Sequence, residues 1–118
     1  MSDQNEFSSY LPHIDVVDGK TRVMNQMTIY VRLLTKFKGR AMAAEVLEGM
    51  KSGDSTRVSL GAHALRGAAA NLGFPTLKNL TDEIESLAKA GEDSSHLAEQ
   101  LNEIMDALDA GIAKLIAL

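Results

Sequence analysis

The run His63-Ala64-Leu65-Arg66-Gly67, closed by Asn71-Leu72-Gly73, puts a histidine, a cation and a glycine on one face of a helix. That combination suits the carrying of phosphate. Histidine is nucleophilic near neutral pH because the unperturbed imidazole is largely uncharged there. A guanidinium one turn along offers donors matched to phosphate oxygens. Gly67 fits the same purpose: a glycine inside a helix costs roughly 1 kcal/mol relative to alanine, so its place one turn beyond His63 suggests that bulk is kept away from the imidazole.

The elements that position these residues follow from periodicity. Val58, Ala62, Leu65, Ala69 and Leu72 recur at helical spacing and predict a helix over 55–72, opened by Asp54 or Ser55 and closed by Gly73. At about 100° per residue they form one apolar arc. Ser59, His63, Arg66, Gly67 and Ala70 centre roughly 120° away, so His63 is expected at the surface. Leu60, one turn before it, lies off the core arc. Small residues around an exposed histidine leave room for another protein, and Ser59, Leu60, Ala64 and Ala70 are the expected contact surface.

Gly73-Phe74-Pro75-Thr76 predicts a tight hairpin into a partner helix marked by Leu77, Leu80, Ile84 and Leu87. Leu97, Leu101, Ile104, Leu108, Ile112 and Leu115 form the longest stripe, in a last helix capped by Ser94 or Ser95. Upstream, Asp15 caps a short helix through about 24. Met27, Tyr30, Leu34 and Phe37, then Ala41, Ala44, Leu47 and Met50, mark either one helix bent at Gly39 or two in series. Four long amphipathic helices with short connections predict an all-α, antiparallel up-and-down four-helix bundle with a short additional N-terminal helix. Residues 1–13 read as a flexible polar arm and 14–118 as the bundle domain.

At 118 residues the chain fits one domain. Its net charge of −4 argues against nucleic acid or an anionic membrane as the main partner. The absence of cysteine removes disulfides, thiolate nucleophiles and zinc-thiolate sites. No signal peptide and no apolar run of about 20 residues appears, which predicts a cytosolic chain. Lys20, Arg22, Arg32, Lys36, Lys38 and Arg40 form a basic stretch, and Glu92, Asp93, Glu99, Glu103, Asp106 and Asp109 an acidic one. Both read as solvated helix faces, with partner steering as the alternative.

The segment from His63 to Gly73 resembles the signature of histidine-containing phosphotransfer (HPt) domains: His-x-Leu-Lys-Gly, a run of small residues and a glycine. Tyr30-Val31-Arg32-Leu33-Leu34-Thr35-Lys36-Phe37 resembles the family's Tyr-x-x-Leu-Leu-x-x-Phe helix, and Leu87-Ala88-Lys89-Ala90-Gly91 the end of its hairpin helix. The resemblance covers about 14–118. Arg66 departs from the usual lysine, keeping the charge but not the compact ammonium.

The resemblance implies a bundle that accepts a phosphoryl group on Nε2 of His63 from a receiver-domain aspartate and passes it to another. Its partners would be response-regulator receivers and a hybrid sensor kinase. Arg66 would offset charge on the phosphoryl oxygens, and Glu85 matches a position where the family often has Gln or Glu, so it would orient the imidazole. The chain would bind no cofactor itself, the receiver supplying magnesium. It has no nucleotide-binding glycine loop and should not use ATP, which makes it a carrier and not a kinase.

Other readings stay open. His63 could be an incidental surface histidine and Glu85 a solvated glutamate. The chain could be an unphosphorylated helical module that binds and regulates a receiver or kinase. A metal-binding bundle is disfavoured because His13 and His96 lack the i, i+3 or i, i+4 partners of a helical metal site. A Ser59-based hydrolase lacks the strand-turn-helix setting of a nucleophile elbow. The starting methionine and polar arm favour a stand-alone module, expected as a monomer.

Overall fold

Asp54 and Gly73 bracket the histidine-bearing helix. The Asp54 carboxylate accepts a hydrogen bond from the Arg57 amide at 3.0 Å, satisfying one of the free amides of the first turn. Gly73 ends the helix in the left-handed region at φ 80°. Pro75 then starts the next helix, where its missing N–H costs nothing. The computed structural model describes residues 11–117. Its α-helices are α1 (Val16–Thr21), α2 (Met27–Lys36), α3 (Gly39–Ser52), α4 (Ser55–Leu72), α5 (Pro75–Lys89) and α6 (Ala98–Ile116), the last preceded by a 3-10 turn at Ser95–Leu97. Among the described residues the protein is all-helical.

Helix α4 is central: it packs most extensively on α5 and α3, while α6 lies against α2, α3 and α5. Its whole expected arc, Val58, Ala62, Leu65, Ala69 and Leu72, is buried. The expected α6 stripe is buried too, joined by Met105 and Gly111. Tyr30 ties α2 to the end of α4, its buried hydroxyl donating to the Leu72 carbonyl at 2.6 Å. Burial, reinforced by the Asp15 and Asp18 carboxylates, pushes that phenol well above its ordinary range.

Of the two arrangements open for the stretch from Met27 to Ser52, the protein has two helices in series, because Phe37 turns to extended backbone and sets its ring 5.3 Å from that of Phe74. A Cβ at Gly39 would meet the Phe37 ring at 2.5 Å and Met105 Cε at 2.7 Å, so any larger residue where α3 restarts must displace those side chains. The restart shifts the phase. Ala43, Val46 and Gly49 face the core, while Ala41 and Ala44 are exposed and Leu47 and Met50 only half-buried. Helix α1 stops at Thr21, short of 24, since Met24 and Asn25 take positive φ in the turn that follows. Ser94 holds the N-cap position of the 3-10 turn without a side-chain cap bond, and Asp93 instead accepts from the Ser95 amide at 3.0 Å.

Leu11 is buried beside Ile14, and His13 Nδ1 lies 2.9 Å from Thr76 Oγ1. The rest of the proposed arm, residues 1–10, lies outside the described residues. Basic and acidic stretches meet at one point, where Arg40 on α3 pairs with Asp106 and Asp109 on α6.

Candidate functional site

The α4–α5 hairpin brings side chains 22 positions apart in sequence into contact. His63 projects from α4 with its side chain 63% exposed, and its Nδ1 sits 3.0 Å from Oε2 of Glu85 on α5. Glu85 faces inward, its side chain only 7% exposed. A carboxylate cannot stay there unpaired. Lys89 Nζ lies 3.0 Å from Oε2, and Arg66 Nε lies 3.2 Å from Oε1.

The hydrogen bond from Lys89, then the bond from His63 and the charges of Lys89 and Arg66, hold the Glu85 carboxyl below its ordinary range against burial, which alone would raise it. Glu85 is therefore an anion at neutral pH. This fixes the neutral imidazole as one tautomer. An ionised carboxylate only accepts, so the short contact requires the proton on Nδ1. Arg66 Nη2, 3.1 Å from the same Nδ1, cannot then donate to it and lies beside the ring as a charge. The Nε2 lone pair is left for attack.

Arg66 is more engaged than its spacing alone suggests. Its Nε lies 3.2 Å from Oδ1 of Asp82 as well as from Glu85, yet is buried without an aligned hydrogen bond to either. Asp82 in turn pairs with Lys78 at 3.3 Å. The result is a ladder of alternating charge, Lys78, Asp82, Arg66, Glu85 and Lys89, with three cations against two carboxylates. Lys78, Asp82 and Lys89 were not singled out from sequence. The steps of three and four from Asp82 to Glu85 to Lys89 place them on one face of α5, the face Glu85 presents to α4.

The other expected residues surround this cluster. A Cβ built at Gly67 meets nothing within 4 Å, so no packing requirement explains the glycine. Leu60 is 67% exposed one turn before the histidine. Ala64 is exposed, and Ser59 and Ala70 are half-buried. The site is a surface and not a cleft: an apolar cavity of about 810 Å³ lies off to the side of α4, lined by Phe37, Met42, Asn71 and Leu72 among others, without His63.

His13 bonds Thr76, and His96 is exposed in the 3-10 turn, both remote from the cluster in sequence. Among the described residues no three His, Asp or Glu side chains are grouped as metal ligands. No helix there is long and apolar enough to cross a membrane.

Comparison with curated proteins and with solved structures gives no match. The family model of the Hpt domain matches residues 32–111, which takes in the end of α2, all of α3 to α5 and most of α6, and with them every member of the charge ladder. The chain belongs to the Hpt domain family.

Proposed function

We propose that this chain is a phosphorelay intermediate in which Nε2 of His63 takes a phosphoryl group from a receiver-domain aspartate and returns it to another. Hpt domains carry out histidine phosphotransfer in phosphorelay signalling as carriers and not kinases. The observation that carries the assignment to His63 is its Nδ1 contact with an ionised Glu85, which presents Nε2 as the nucleophile.

In the forward step the Nε2–P bond forms as the acyl-phosphate O–P bond breaks, and the receiver aspartate leaves as a carboxylate. The Nδ1 proton stays on the ring, where Glu85 balances the positive charge that the ring acquires. Arg66 and Lys89 offset the charge of the phosphoryl oxygens. The receiver contributes magnesium. Return to a second aspartate reverses these bonds.

We read the scaffold as an antiparallel up-and-down four-helix bundle, with α2 and α3 together forming one arm and α1 covering an end. Its face around His63, with Leu60, Ala64, Gly67 and Ala70, would dock receivers, including that of a hybrid kinase, as a cytoplasmic monomer. Incubation with phosphorylated receivers tests this. Label should appear as acid-labile, base-stable phosphate and vanish in His63→Gln, whose stability should stay within about 0.5 kcal/mol of the parent because the imidazole is exposed. Label retained on His63→Gln would refute the assignment; unchanged receiver binding with no label on either protein would favour the unphosphorylated docking module.

A further inference from the structure

We infer that Asp82 is a positioning residue that draws the Arg66 guanidinium toward the Nδ1 edge of the imidazole, limiting how much of its charge reaches a phosphoryl group on Nε2 and keeping phosphohistidine reactive. The inference rests on phosphorylation of His63 as proposed above. Its ground is where the guanidinium sits. Two carboxylates pull Arg66 Nε toward α5, Asp82 Oδ1 and Glu85 Oε1 each 3.2 Å away, and this holds Nη2 3.1 Å from Nδ1. A phosphoryl group would sit at the other ring nitrogen. To meet its oxygens the guanidinium must give up part of its pairing with a carboxylate.

The two carboxylates are not equivalent in this respect. Glu85 is buried and committed to His63 and Lys89, so it cannot release Arg66 without disturbing the ring. Asp82 is 41% exposed, and among the described residues its only other ionic partner is Lys78, on its far oxygen. The Arg66 Nε contact is a charge contact without aligned hydrogen-bond geometry, the kind a dianion can compete for. Asp82 thus acts through Arg66. It sets how much of the guanidinium's charge the phosphoryl group receives, and so how strongly the carrier holds its cargo.

The charged groups linked to His63, directly or through one another, are Arg66 from α4 and Lys78, Asp82, Glu85 and Lys89 from α5. Neutralising Asp82 could change the phosphoryl group in two ways, by freeing Arg66 or by removing a direct repulsion. Only the first requires Arg66.

Phosphoramidate, a small donor, allows the test without a receiver: its P–N bond breaks, ammonia leaves and the P–Nε2 bond forms. The phosphorylated chain is then titrated by ³¹P NMR, and its hydrolysis is followed as water oxygen bonds phosphorus and the N–P electron pair returns to Nε2. In Asp82→Asn the phosphoryl pKa should fall by about 0.5 unit and the phosphohistidine lifetime lengthen about threefold, as expected for a cation released toward a dianion. Both changes should disappear in the Arg66→Ala background, and Asp82→Glu should restore the parental values. Parental pKa and lifetime in Asp82→Asn overturn the inference, as does an equal change with Arg66 removed, which would mark direct repulsion. If the parent takes no phosphoryl group at His63, the proposed function itself fails, and this inference with it.

Discussion

Gly67 separates what the fold needs from what docking needs. A Cβ there meets nothing within 4 Å, so Gly67→Ala adds no clash and gains the helix preference of alanine over glycine, about 1 kcal/mol. For a domain of this size that raises the melting temperature by about 4 °C. Every Cα–Cβ bond in a helix tilts toward the N-terminus. A side chain at 67 therefore leans back toward His63, over the surface across which a receiver aspartate must reach Nε2.

Misplacing reacting atoms by about 1 Å can cost on the order of 100-fold in rate. Receiver transfer should accordingly fall about tenfold in Gly67→Ala and about 100-fold or more in Gly67→Gln. Thermal unfolding and transfer from a labelled receiver measure the two effects, and phosphoramidate supplies the control: it needs no docking and should phosphorylate all three proteins alike. Gly61, on the same helix, sharpens the comparison. Its Cβ would press Val46 Cγ2 at 3.0 Å, so Gly61→Ala should gain less stability and leave transfer unchanged. Parental receiver transfer by Gly67→Gln refutes the docking geometry; an equal loss with phosphoramidate refutes the steric argument.

Two further predictions concern the charges and the core. Glu85→Gln should be less stable than the parent at neutral pH because Lys89 and Arg66 lose their anion, and the gap should close on acidification. The Glu85 carboxyl is held below its ordinary value of 4.5, so its stabilisation is fully present above that pH and is lost as pH falls through its lower, folded-state value. Melting temperatures of both proteins from pH 7 to pH 3 check this, and a constant gap would contradict it. Tyr30→Phe should cost about 1–3 kcal/mol by leaving the Leu72 carbonyl unpaired, without altering phosphoramidate labelling. The Tyr30 phenol is raised above its ordinary 10.0, so the parent should lose stability as pH rises beyond 10, a loss that Tyr30→Phe reduces in alkaline melts.

Helices α4, α5 and α6 were legible because their apolar periods run unbroken between strong end signals, Asp54, Gly73 and Pro75 among them. The phase of α3 was not. It is set by Phe37 packing on Phe74, a contact between distant segments that no local period records, and the helix restarts after it on a new face. The same distinction divides the site. His63 and Arg66 share a helix, and their three-residue spacing is visible in sequence; Glu85 came through family resemblance. Asp82 and Lys89 act across the hairpin, and on their own helix they read as ordinary surface charges. Only the meeting of α4 and α5 shows that Arg66 is already held by acids before any phosphate arrives.

That pairing bears on what a carrier requires. A group that must be taken up and given away again is badly served by a site that binds it as tightly as possible, because ground-state affinity deepens the well from which the return step must climb. A free Arg66 and a free Lys89 beside Nε2 would make such a well. Here the ladder spends most of that charge internally: before any phosphoryl group arrives, two carboxylates against three cations leave a single net positive charge. The acids of α5 are thus as much a part of the proposed phosphotransfer chemistry as the cations they hold, because they decide how much of that positive charge is already committed before a phosphoryl group arrives.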